Sequence, residues 1–176
     1  MAENLLQRAF DAPAPDRVWV TDITYVWTRE GWLYRSAIVE GFSRRVVGWT
    51  TSEHIDTKLC LDALHMAVQA RRPSLGLIHH SDRGSQHASH DYCRALDIHS
   101  MLCSMSRKGD CWENAVGESF GNTNKSELID GTDFVTRCSA KTSIFEYIEA
   151  FYNRSRIHSH LGYISPEKFE NLPKEA

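Results

Sequence analysis

No run of 18 consecutive apolar residues occurs in the 176-residue chain, and Met1 to Arg8 holds no seven-residue apolar core. Neither a membrane-spanning helix nor an export signal is therefore expected. Cysteine is scarce and poorly placed for crosslinking: Cys60, Cys93, Cys103, Cys111 and Cys138 are odd in number and include no C-x-x-C pair. That usage suits a reducing cytoplasm better than a disulfide framework. Internal repeats and low-complexity tracts are missing as well. With 41% hydrophobic and 24% charged residues, collagen-like and disordered classes are excluded, and one soluble domain is expected.

A surplus of positive charge is also absent. Twenty Lys and Arg stand against 23 Asp and Glu, for a net charge of −3. The balance is even along the chain, with 11 basic and 12 acidic residues through Ser106, then 9 and 11. Taken alone, this argues against a nucleic-acid partner, because phosphate binding usually shows as cationic excess.

What is present is strand and helix patterning in a definite order. After Pro13 and Pro15, residues Val18 to Thr28 are rich in β-branched and aromatic types and read as a strand. Gly31 turns the chain into a second strand, Trp32 to Val39, and Gly41 to Ser43 turn it into a third, Arg45 to Thr51, giving an antiparallel meander. From Thr57 to Arg72 the apolar period becomes helical until Pro73 ends it. Leu75 to His79 reads as a buried strand, His90 to Leu96 as a helix, and Ile98 to Cys103 as a strand. A polar loop, Ser104 to Gly109, leads to Asp110, a helix N-cap with Glu113 in capping-box position. Ile144, Ile148 and Phe151 define a last amphipathic helix over Ser139 to Arg154. The order βββαβαβαα predicts an α/β fold with helices on the faces of a mixed sheet.

Three acids occupy unusual places. Asp22 is the one charge inside the first strand and shares a face with Val18, Val20 and Val26, where a carboxylate must be paired, hydrogen-bonded or metal-bound. Asp82 falls just beyond the carboxyl end of a strand, the place where open α/β sheets bind ligands, although an Asx-turn there is equally ordinary chemistry. Glu118 lies on a helical stripe with Asn114, Asn122 and Lys125, a pattern that by itself suits a solvated face. Jointly, three carboxylates on rigid elements match what a pair of divalent cations needs while leaving room for phosphate oxygens.

These residues sit within segments that resemble the integrase-type catalytic core of bacterial insertion-sequence transposases, itself similar to retroviral integrases. The segments are Val18 to Tyr25, Ser43 to Trp49, His80 to Gln86, Ser104 to Gly109, Cys111 to Ala115, Glu118 to Phe120, and Phe151 to Asn153 followed by Arg156, His158, Leu161 to Tyr163, Ser165 and Pro166. Thirty-five residues separate Asp82 from Glu118, the interval of the Asp-Asp-35-Glu signature. The resemblance implies a ribonuclease H-like fold, an α/β arrangement with a mixed five-stranded sheet. It implies a linker over 1–17, the catalytic core over 18–155 and a tail over 156–176.

It further implies that Asp22, Asp82 and Glu118 are catalytic and hold two Mg2+ or Mn2+ ions for DNA end cleavage and strand transfer. Lys125, Asn114, Asn122, Arg83, Arg107, Lys108 and Arg156 are the expected DNA contacts, and the expected partners are double-stranded DNA and further copies or full-length subunits. Two divalent ions would move the formal charge from −3 to +1, which answers the objection from charge. Zinc is a weaker reading of His79, His80, His87, His90, His99, Cys93 and Cys103, whose spacing fits no zinc pattern. The family's longer members carry helix-turn-helix segments ahead of the core, so recognition of element ends is expected to come from elsewhere.

Some positions depart from the family pattern. Glu40, Gly41, His87 and Glu113 are substitutions of modest size, but Gly121 and Asn124 stand where Phe and Leu are usual. Loss of a buried Leu costs about 2–5 kcal/mol, and an unpaired amide adds to it. The seat of the Glu118 helix is thus where this sequence and the family differ most, and a catalytically silent remnant that binds DNA or sibling subunits is the alternative expectation.

Overall fold

The first strand, β1 (Val18–Thr28), runs through the middle of the molecule and divides its apolar residues between two cores. Val18, Val20 and Val26 face one core and Trp19 and Ile23 the other, as the two-residue period of a strand requires. The computed structural model describes residues 3–6, 12–106 and 115–173. β2 (Gly31–Glu40) pairs antiparallel with β1, and β3 (Val46–Ser52) pairs antiparallel with β2, with a register shift at Ile38 and Val39. β4 (Ile78–Ser81) adds to β1 in parallel and β5 (Leu102–Met105) to β4, giving the order β3-β2-β1-β4-β5. The expected mixed five-stranded sheet and its antiparallel meander are both present.

One face is covered by α1 (Thr57–Arg71), capped by the Asp56 carboxylate, and by α2 (His90–Ile98), capped by the Ser89 hydroxyl. Helix α1 rests directly on β3 at Gly48, where a Cβ would lie 2.4 Å from the Ala63 carbonyl oxygen. The other face takes α3 (Ala115–Asn124), which widens over Lys125–Ile129, and α4 (Arg137–Phe145), which widens over Glu146–Tyr152. Thr136 and Ser139 cap α4 reciprocally. At its far end, the Asn153 amide closes on β3, accepting from the Val46 N–H at 2.9 Å and donating to the Val46 carbonyl at 3.0 Å.

Two strands begin later than the residue pattern predicts. The strand expected from Leu75 starts at Ile78, because Gly76 takes φ +83° and its N–H bonds the Ser100 carbonyl in a turn. The strand expected from Ile98 starts at Leu102, because α2 runs through Ile98 and Ser100 reverses the chain at φ +53°. The expected Asp110 and Glu113 cap lies outside the described residues. Residues beyond Arg156 pack back on the body through α5 (Pro166–Glu170): the Phe169 and Phe42 rings are 5.0 Å apart, and Glu170 pairs with Arg45 and Arg71. No described helix is long and apolar enough to cross a membrane.

Candidate active site

Asp22 lies opposite Ala37 on β1, facing α3. A Cβ at Gly121 would sit 3.1 Å from the Asp22 Oδ2 and 3.5 Å from the Thr24 Oγ1. The helix that carries Glu118 therefore packs against the Asp22 carboxylate, and a side chain at Gly121 would require that carboxylate to give way. Burial pushes the Asp22 carboxyl above the ordinary aspartate range, and the neighbouring Asp82 charge pushes the same way, while its bond from the Ile23 backbone and the Arg35 and His87 charges pull it back.

Asp82 follows β4 directly, at the carboxyl end of the strand. Its Oδ1 accepts from the Gly84 N–H at 3.0 Å and from His87 Nδ1 at 2.9 Å. The His87 bond holds the Asp82 carboxyl below its usual value despite partial burial. Burial presses His87 toward neutrality, but Asp82 and Cys60 together more than offset it and raise the imidazole above the ordinary histidine value. Asp82 is thus settled by its histidine, and the repulsion between the two carboxylates falls on Asp22. Hard carboxylate oxygens of this kind suit a hard divalent cation, which would offset their like charge.

Glu118 is half-buried on α3, three residues before Gly121 and so on the same side of the helix. Among the described residues, no three His, Cys, Asp or Glu side chains are gathered closely enough to hold a metal ion. The structure brings Asp22 and Asp82 into electrostatic contact and places the Glu118 helix against Asp22 without closing the three into one cluster. Asn122 and Lys125 are exposed on the same helical run. Arg83 is exposed, with its Nε donating to the Ser106 carbonyl at 2.6 Å. Arg156 is engaged by Glu127 at 2.7–2.9 Å. Asn114, Arg107 and Lys108 lie outside the described residues.

Sequence reasoning missed Arg35. It stands on β2 between Leu33 and Ala37, is fully buried, and donates to the Asn124 amide oxygen and, at 3.0 Å, to the Thr24 Oγ1. Its guanidinium lies 4.8 Å from the centre of the Phe120 ring. Burial lowers its pKa to about 10, with the Asp22 charge acting in the opposite direction, so it is a cation at neutral pH. The available signal was a lone charge on the core face of a strand. His87 was visible as an unusual residue, but not as the partner of Asp82. Of the other histidines of the zinc reading, His79 and His80 are buried, His79 meeting the Tyr92 hydroxyl at 3.1 Å and His80 meeting Ser104 at 2.8 Å and Ser106 at 3.1 Å, while His90 is exposed.

Comparison with known proteins agrees with this arrangement. Residues 12–111 match one integrase core domain model and residues 118–172 a second. The chain is 47% identical over 169 residues to the insertion element IS600 uncharacterized 31 kDa protein of Shigella sonnei, covering 96% of this chain and 62% of that protein. It is 44% identical over 171 residues to the transposase InsF for insertion sequence IS3A of Escherichia coli strain K12, covering 97% of this chain and 59% of the relative. The chain thus spans about 60% of the length of these curated relatives. Among solved structures, a chain of the simian T-cell lymphotropic virus intasome in complex with PP2A regulatory subunit B56 gamma superposes with a TM-score of 0.77 at 14% identity, covering 94% of this chain and 58% of that one. The HTLV-2 integrase catalytic core domain in complex with magnesium gives 0.60 at 12% identity, covering 92% and 99%. At such identities the structures speak for the fold, and that fold is the integrase catalytic core. With more than half of its length matched by the first family model, and with an acid on the central strand and another just past the adjoining strand's end, the chain belongs to the integrase core domain family.

Proposed function

We propose that this chain is the DNA-processing core of an insertion-sequence transposase, with Asp22, Asp82 and Glu118 acting as one site on the phosphodiester backbone. The observation that supports the reading is the Asp22 carboxylate packed beneath the helix that bears Glu118, with the Asp82 charge reaching it from the end of β4. Two Mg2+ or Mn2+ ions held by these carboxylates would supply activation of a water or 3′-hydroxyl nucleophile and stabilisation of the departing oxygen.

The protein's own groups do the positioning. His87 fixes the orientation of the Asp82 carboxylate by holding one oxygen and leaving the other for a ligand. Arg35 seats α3 from below and places a fixed positive charge near Asp22. Asn122 and Lys125 line the exposed side of the same helical run, where amide and ammonium groups suit phosphate and base contacts. Arg83, Arg156, Asn114, Arg107 and Lys108 complete the proposed DNA contacts, and the working form is an oligomer, since two DNA ends must be brought together.

The test is Mn2+-dependent nicking of a labelled duplex oligonucleotide. The full chain is expected to cut and the Asp82→Asn variant to lose activity by at least 100-fold, the scale at which single catalytic groups act. Equal cutting by both would reject the assignment. DNA binding with no cutting by either would favour a silent, DNA-binding remnant.

A further inference from the structure

The hairpin of β1 and β2 reaches further than the helices that cover it. On the face that α1 and α2 cover, Trp19, Ile23 and Ile38 are packed into the core. The same alternation brings Tyr25 and Trp27 of β1 onto this face, and their cross-strand partners on β2 are Tyr34 and Trp32. None of these four rings belongs to either core. Trp27 is 56% exposed, Tyr25 49% and Trp32 46%.

The rings meet edge to face, with centres 4.9 Å apart for Trp27 and Trp32, 5.2 Å for Tyr25 and Tyr34, and 6.2 Å for Tyr25 and Trp32. Cross-strand pairs of this kind stiffen a hairpin. Three half-exposed rings nevertheless leave roughly 300 Å² of connected aromatic surface in water. The largest apolar patches on single chains are of that size, and they concentrate at interaction sites.

The charges around the patch decide what it meets. Arg29, in the hairpin turn, donates from its Nε to both Asp133 carboxylate oxygens at 3.1 Å. Arg137, at the start of α4, donates from its Nε to the Trp32 carbonyl at 3.1 Å and pairs with Glu53 at 3.1 Å, while its backbone N–H bonds the Glu30 carboxylate at 2.8 Å. Two guanidiniums, both engaged, thus stand beside three carboxylates, whereas a phosphate backbone calls for the opposite balance. Aromatic rings at the centre with Arg at the edge are the composition of a protein interface. A rim that holds both signs is its own complement when a second copy meets it, and exposed ion pairs exchange partners at little cost.

We propose that this aromatic face is where two copies of the chain meet, ring ladder against ring ladder about a two-fold axis. The rings form the apolar centre and the charged pairs the rim of an interface of roughly 800 Å² per copy. The proposal rests on the DNA-processing reading for its purpose, since joining two DNA ends takes two copies, and it assigns their pairing to the hairpin. Asp22 lies three residues before Tyr25 on β1, about 10 Å along the strand, so the contact holds the two candidate sites at a fixed spacing.

Sedimentation velocity of the full chain over a range of concentrations tests it. The wild type is expected to pass from monomer to dimer as concentration rises. Trp27→Ser is expected to need at least about 30-fold more protein to do so, the scale of one aromatic hot spot. Should that variant unfold, hydroxyl-radical footprinting of the wild type decides instead, with Trp27 and Trp32 expected to be protected in concentrated but not in dilute solution.

A wild type that stays monomeric throughout, a dimer that forms equally well with Trp27→Ser, or equal labelling of Trp27 and Trp32 at both concentrations would overturn the proposal. So would loss of affinity for a labelled duplex in Trp27→Ser with self-association unchanged, which would make the patch a DNA contact. A Trp27-dependent dimer that nicks no DNA would leave the interface standing and remove the catalytic reading, and a monomer that nicks would do the reverse.

Discussion

The guanidinium of Arg35 on β2 donates a hydrogen bond to the amide oxygen of Asn124 on α3, with both side chains sealed from solvent. The pair accounts for a departure that looks damaging in isolation. An Asn at a position that usually takes Leu would be a buried amide without purpose, unless the strand opposite supplied a donor. Here it does, and the two residues are 89 positions apart in the chain. The bond, with Thr24 as second acceptor and the Phe120 ring beneath, fixes the helix that carries Glu118 to the strands that carry Asp22.

Restoring Leu at one end of this pair alone is expected to harm the protein. Asn124→Leu leaves the Arg35 charge without its amide acceptor in the core and should cost about 3 kcal/mol in urea unfolding. Combining it with Arg35→Met removes the stranded charge and should recover most of that loss. Additive losses in the double variant would mean that the two side chains are not coupled.

Gly121 is set by the carboxylate it touches. A Cβ there meets Asp22 Oδ2 at 3.1 Å, so Gly121→Leu forces α3 away from β1 and should cost about 1–3 kcal/mol of thermal stability, as overpacking does. On an open helical surface the same change would stabilise by roughly 1 kcal/mol through helix propensity. The sign of the change in Tm separates the two.

Acid should loosen the docked end of the chain. Burial raises the Glu170 carboxyl, but bonds and charges from Arg71 and Arg45 outweigh this and hold it below the ordinary glutamate value. A depressed folded-state pKa gives stability that is complete above the unfolded value, near 4.3, and is lost as pH falls through the folded one. Glu170→Gln is expected to cost about 1.5–3 kcal/mol at pH 7, and the gap to wild type should shrink steadily below about pH 4.3. A gap independent of pH would show that the charge of Glu170 contributes nothing.

Much of this architecture was legible locally. The β-branched run of β1, the turns at Gly31 and Gly41, and the helical period ended at Pro73 are signals contained within a few residues, and those elements stand where the pattern puts them. The starts of β4 and β5 were misplaced because Gly76 and Ser100 bond to each other across two turns, so neither boundary can be read from its own segment. Helix α5 spans five residues, too few for a period to register. The motif spacing pointed to Asp22, Asp82 and Glu118, but their supporting residues were hidden. The His87 bond spans five positions and looks like a substitution until the turn is folded, and Arg35 makes sense only once Asn124 is beside it.

The central claim is that Asp22 and Asp82 share a cation, and thermal unfolding of wild type and Asp22→Asn with and without Mn2+ tests it most directly. Without metal, Asp22→Asn removes a buried carboxylate whose charged form is disfavoured by burial and by Asp82, and should be more stable than wild type. With Mn2+ at 100 times its dissociation constant, wild type should gain about 2.7 kcal/mol and the variant almost nothing. An Asp22→Asn protein that keeps the full Mn2+ gain would contradict the account, because the cation would then be bound without the residue on which the site is built.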